Sequence, residues 1–89
     1  MTYNFVAHNI EPNQVRFTQS ARKHRIGRAR ALYVMENYLP IQVLYGKRTD
    51  QSFRWIGKDV RGVEIEIIAV ATPQYLLVIH VMPYRYRRK

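Results

Sequence analysis

The sequence predicts an α+β domain in which two N-terminal helices pack on a four-stranded antiparallel meander sheet. Residues 16–39 carry apolar side chains at helical spacing, and Pro40 ends the pattern. Residues 41–82 hold four apolar or alternating runs with turn-rich links between them. Links this short favour antiparallel neighbours, because a parallel return needs a long crossover.

The elements follow in order. Residues 1–13 are weakly defined: Tyr3 and Phe5 alternate with polar residues, which permits a short strand, and Glu11-Pro12-Asn13 reads as a turn. Thr18 or Ser20 can cap a short first helix over about residues 19–25. Ile26-Gly27 is then the break, with Gly27 supplying a conformation that other residues resist. The second helix covers about residues 28–38. Leu32, Met35 and Leu39, joined by Ala31 and Tyr38, form its core stripe, while Arg30, Tyr33 and Asn37 fall elsewhere. Strands are expected at 41–45, 52–56, 63–70 and 75–82, with turns at 46–50, 57–62 and 72–74. Pro83 stops the last strand, and residues 84–89 form a basic, aromatic tail.

Alternation assigns the faces of the sheet. Val63, Ile65, Ile67 and Ala69 share one side of the third strand, and Glu64, Glu66, Ile68 and Val70 the other. In the fourth strand Leu77, Ile79 and Val81 oppose Leu76, Val78, His80 and Met82. Only one side of each strand is wholly apolar, so Val63, Ile65, Ile67 with Leu77, Ile79, Val81 make the core face beneath the helices. Phe53 and Trp55 join them. Arg54, Glu64, Glu66 and His80 then converge on a solvent-accessible face, with Glu66 opposite His80.

Bulk properties bound the function. Eighty-nine residues make one domain, spanning 1–89. The chain is 47% hydrophobic and 24% charged, the balance of a folded globular protein. It has no apolar run of membrane-spanning length, and its start lacks the plan of a signal peptide. With no cysteine, disulfides and thiolate metal sites are excluded. These absences favour the cytoplasm and no membrane partner. The net charge of +9 comes from 15 Lys and Arg against 6 acids, and most of the bases are arginine. Arginine's planar fork bonds two phosphate oxygens at once, so a polyanion, RNA first, is the expected partner. The alternatives are an acidic protein partner or a charge excess that serves solubility alone.

Two groups of residues carry candidate chemistry. Metal-free RNA cleavage needs a base for the 2′-hydroxyl, an acid for the leaving oxygen, and a cation for the phosphoryl charge. Arg54, Glu66 and His80 supply one of each, with Glu64 beside them. The same residues are equally readable as ordinary cross-strand charge pairs on an exposed face, which contribute under about 1 kcal/mol. His24, at a helix end within the ARKHR run, is a further candidate for proton chemistry or phosphate contact. Its alternative is a surface histidine in a basic loop. His8 is incidental, and three separated histidines lack zinc-ligand spacing, so no metal or cofactor is expected. Arg22, Lys23, Arg25 and Arg28 in the basic run, with Arg85, Tyr86, Arg87 and Arg88 in the tail, suit phosphate contact and base stacking.

The order of SARKHRIGRARALYVMENY, RWIGKDVRGVEIEIIAV, YLLVIHVMP and an Arg-rich end resembles the small toxins of bacterial toxin–antitoxin pairs, in the broad RelE/BrnT-like group. ARKHRIG is similar to the KHG-like helix end of BrnT-type toxins, and YRYRRK to their basic C-terminus. The likeness covers most of residues 16–88. It implies a RelE-like fold and a metal-independent endoribonuclease that arrests translation. It also implies a cognate antitoxin partner, in a hetero-oligomer or beside a homodimer. It draws attention to His24, Arg25, His80, Arg85 and Arg87. A related ParE-like branch acts on a protein target and cleaves no RNA, so the rival expectation is a non-catalytic protein, either an RNA-binding module or a toxin of that kind.

Overall fold

Strand β5 (Leu76–Pro83) lies at the heart of the chain's longest-range pairings, and the sheet runs β1-β5-β4-β3-β2. The computed structural model describes residues 11–44 and 51–86. The expectations on Tyr3, Phe5, His8, the turn at 46–50, Arg87 and Arg88 lie outside the described residues. β2 (Ile41–Val43), β3 (Ser52–Lys58), β4 (Glu64–Ala71) and β5 pair antiparallel in sequence order. β1 (Val15–Phe17) then adds to the far edge of β5, parallel to it. The described residues therefore form a five-stranded mixed sheet with one α-helix, α1 (Arg28–Asn37), and not two helices on a four-stranded antiparallel meander.

The first expected helix is only a 3₁₀ turn, Ser20–Arg22. Thr18 does cap it, its Oγ1 accepting from the Ala21 amide at 3.2 Å. Within it Ala21 alone is buried, and Arg22, Lys23 and Arg25 are exposed. A helix here has no apolar stripe to bury, and tertiary packing is what sustains short helices. The reversal falls on Arg25, whose φ is +58°, while Gly27 has an ordinary φ of −68° as the N-cap of α1.

Helix α1 buries Ala31, Val34 and Met35, so its core stripe is displaced from the Leu32, Met35, Leu39 spacing. Leu32 is partly buried, and Leu39 lies beyond the helix and is exposed. The buried stripe packs with Trp55, Ile65, Ile67 and Ala69 on one side of the sheet. At the C-terminal end of α1 the Tyr38 ring covers Gly57 so closely that a Cβ there would stand 2.4 Å from it.

A bulge in β5 overturns half of the expected face assignment. Ile68 pairs with His80 and Ala69 with Val78, so Ile79 is the extra residue. One extra residue reverses the parity of everything beyond it. Val81 keeps the core face, but Val78 and Leu76 replace Ile79 and Leu77 there. The bulge is also a docking point. The Thr18 amide donates to the Val78 carbonyl at 3.0 Å, and the Ser20 hydroxyl to the Ile79 carbonyl at 3.1 Å.

The β3–β4 turn is built by Asp59. Its Oδ1 accepts from the amides of Arg61 and Val63, and its Oδ2 from Arg30 Nε of α1. Gly62 closes the turn at φ +79°, which glycine adopts freely. Burial works to raise the Asp59 pKa, but the Val63 amide, the Arg30 guanidinium and the Arg61 amide outweigh it and hold the carboxyl below its ordinary value. A folded value below the unfolded one stabilises the fold above about pH 4 and is lost as pH falls through the folded value. Asp59→Ala is expected to cost about 2–4 kcal/mol in urea unfolding, since it strips two amides and a cation of their acceptor. It should also flatten the acid-side dependence of stability. An unchanged acid limb in the variant would remove Asp59 from this role.

Candidate nucleic-acid interface

Arg54, Ile68 and His80 form one row across β3, β4 and β5, on the side of the sheet away from the α1-facing cluster. Glu66 sits in the next row, between Ile56 and Met82. Glu66 is thus diagonal to His80 rather than opposite it. The diagonal still brings the groups together: His80 Nε2 lies 3.1 Å from Glu66 Oε1, and Arg54 Nη1 lies 3.9 Å from Glu66 Oε2. Glu64 lies a further row along, opposite Lys58.

The expected solvent-accessible face is not open. Glu66, Ile68, Val70 and Ser52 on that side are all buried, and the Glu66 side chain is 0% exposed. His80 keeps 16% of its side-chain surface and Arg54 33%. A buried carboxylate cannot take a proton from a polymer in solvent without the site opening. What Glu66 does here is hold the imidazole through Nε2 and attract the guanidinium, which orients both. Ordinary exposed cross-strand pairing is equally inapplicable, because the acceptor at its centre is out of water.

The basic run and the tail meet at a second place. Lys23 is exposed and His24 half-buried, with the His24 ring edge-on to Tyr86 at 5.4 Å between centroids. The Arg85 guanidinium lies 5.2 Å from the centre of the same Tyr86 ring. The structure therefore joins His24, Arg85 and Tyr86, and among the described residues no hydrogen bond or ion pair links His24 to the Arg54–Glu66–His80 group. Arg22 and Arg25 flank this contact along the loop and are exposed.

Arg28 has a different role from its neighbours. Its Nη1 donates to the Val15 carbonyl at 2.9 Å, its Nη2 donates to the Pro12 carbonyl, and its guanidinium lies 5.3 Å over the Phe17 ring. These bonds tie α1 to β1. Phe17 and Ile26, passed over in the sequence, join Arg22, Arg25, Gly27 and Arg28 around a cavity of about 300 Å³. The alternation Val15-Arg16-Phe17 was the available signal for β1, too short to stand out from the basic run that follows. Among the described residues no group of three or more His, Asp or Glu is placed to hold a metal ion.

Comparison with the known protein families, with the curated proteins and with the solved structures finds no match.

Removing the buried carboxylate should be costly. Glu66→Ala is expected to lower stability by roughly 2–4 kcal/mol, because it leaves a cavity and removes the buried acceptor that the His80 ring and the Arg54 guanidinium share. Arg54→Ala should cost under half as much, since its head is partly in water. Denaturant titration of both variants compares them, and equal small losses would contradict the buried-hub reading.

Proposed function

We propose that the protein binds RNA, through the loop around Arg22, Lys23 and Arg25 and the start of the tail at Arg85 and Tyr86. The observation that carries the reading is the His24–Tyr86 contact, which draws loop and tail into one strip of exposed cations around an aromatic ring. Two of the acids, Asp59 and Glu66, are buried against cations. The carboxylates facing solvent are therefore fewer than composition implies, and exposed arginine beside tyrosine suits phosphate and base together. In this reading the protein works in the cytoplasm.

A second reading, from the toxin resemblance, is a metal-independent endoribonuclease held in check by an antitoxin. It draws on the His80–Glu66 contact, in which a carboxylate orients an imidazole that retains a solvent edge. Its rival is a toxin of the same group that acts on a protein target.

Anisotropy titration with a single-stranded RNA oligomer tests the first reading. Affinity should fall steeply between 50 and 200 mM salt, on the order of tenfold or more, because several phosphates are neutralised together. Arg22→Glu with Arg25→Glu should weaken binding at least tenfold. Salt-insensitive binding, or none at low salt, would sink the polyanion reading. Incubation with labelled RNA tests the second. Cleavage that drops by roughly 10²-fold in His80→Ala, compared at equal concentrations of folded protein, supports catalysis. Intact RNA and normal bacterial growth at confirmed soluble expression would count against it.

A further inference from the structure

The cavity between β1 and the start of α1 combines two kinds of wall. Phe17 and Ile26 are apolar, and Arg22, Arg25 and Arg28 are cationic. Among the described residues no carboxylate lines it. Its volume of about 300 Å³ sits at the lower end of the range for small-molecule sites.

The three arginines are not equivalent. Arg28 has one Nη bonded to the Val15 carbonyl and the other to the Pro12 carbonyl, and its guanidinium carbon lies 5.3 Å from the centre of the Phe17 ring. With those donors committed, it offers chiefly a fixed, flat, cationic surface. Arg22 and Arg25 are exposed and make no side-chain hydrogen bond or ion pair among the described residues. Their forks remain available to phosphate oxygens. The left-handed Arg25 backbone, at φ +58°, sets that side chain at the cavity wall instead of continuing the preceding turn.

We propose that this cavity is a pocket for one nucleotide unit. The base packs against Phe17, Ile26 and the Arg28 plane, and the phosphate is taken by Arg22 and Arg25. The proposal rests on the RNA-binding reading and deepens it: one nucleotide of a single strand is turned out of the stack and held. Single-stranded RNA is recognised in this way, with unstacked bases on aromatic rings and guanidinium planes. A bare anion would leave the apolar wall unused, and an acidic peptide would bring charge without a flat ring.

Gly27 makes the test clean. It lines the cavity, has an unstrained φ of −68°, and a Cβ there meets nothing within 4 Å. It is also the N-cap of α1, where aspartate is favoured by both capping and the helix dipole. Gly27→Asp should therefore keep or raise the melting temperature while placing a carboxylate in the pocket. The full chain is titrated with adenosine 5′-monophosphate, inorganic phosphate and a tetraglutamate peptide, following backbone amide shifts of residues 17, 22 and 25–28. The nucleotide should bind at least tenfold tighter than phosphate or peptide. Gly27→Asp should weaken it tenfold or more, and Phe17→Leu several-fold. Equal binding of the three titrants would reduce the cavity to a plain anion site and overturn the proposal. So would nucleotide binding untouched by Gly27→Asp in a folded variant. RNA that binds the wild type and Gly27→Asp alike would refute the pocket and leave the wider interface standing. Nucleotide binding without RNA binding would leave the pocket standing and refute the interface.

Discussion

One extra residue in β5 sets the arrangement of the whole sheet. Without the bulge at Ile79, Leu77 and Ile79 would face α1, and Leu76 and Val78 would face away. With it, Leu76, Val78 and Val81 all reach the core, while His80 stays on the far side near Glu66. The carbonyls at the bulge accept from Thr18 and Ser20, which hold the turn that carries the basic loop. A single irregularity thus exchanges the two faces of the first half of β5 and anchors the start of the cationic strip.

The charges divide into those that build the fold and those left for a partner. Arg30 meets Asp59, Arg54 approaches Glu66, and Arg28 is engaged by the backbone carbonyls of Pro12 and Val15. The two carboxylates, Asp59 and Glu66, are buried, where an ion pair is costly to break and gains little by mere presence. Arg22, Lys23, Arg25 and Arg85 lie in solvent instead. Clustering like charges costs self-repulsion, which binding to a polyanion relieves. Arg16 is intermediate, its guanidinium lying 5.7 Å over the Tyr75 ring next to the β4–β5 turn.

The polar group centred on Glu66 links fold and function differently. A carboxylate with no exposed surface, bordered by an imidazole and a guanidinium, is a strong constraint on how β3, β4 and β5 pack. It could serve proton chemistry only through the exposed edge of His80. The two readings of the protein therefore place their demands on separate residues: binding on the loop and tail, cleavage on the far side of the sheet.

Composition and alternation alone determined the excess of positive charge, the run of strands after Pro40, and the gathering of Arg54, Glu66 and His80 on one side. These depend on counting and on the two-residue period of a strand, both local properties. The length of the first helical segment, the parallel β1, the bulge and the burial of Glu66 were decided by tertiary structure. Arg22, Lys23 and Arg25 look the same in a helix or a loop until one asks what Ala21 can pack against. Val15-Arg16-Phe17 becomes a strand only because β5, some sixty residues later, offers an edge. Parity past Ile79 cannot be read from a pattern in which both faces are almost equally apolar. Where local preferences are nearly balanced, contacts distant in the chain settle the outcome.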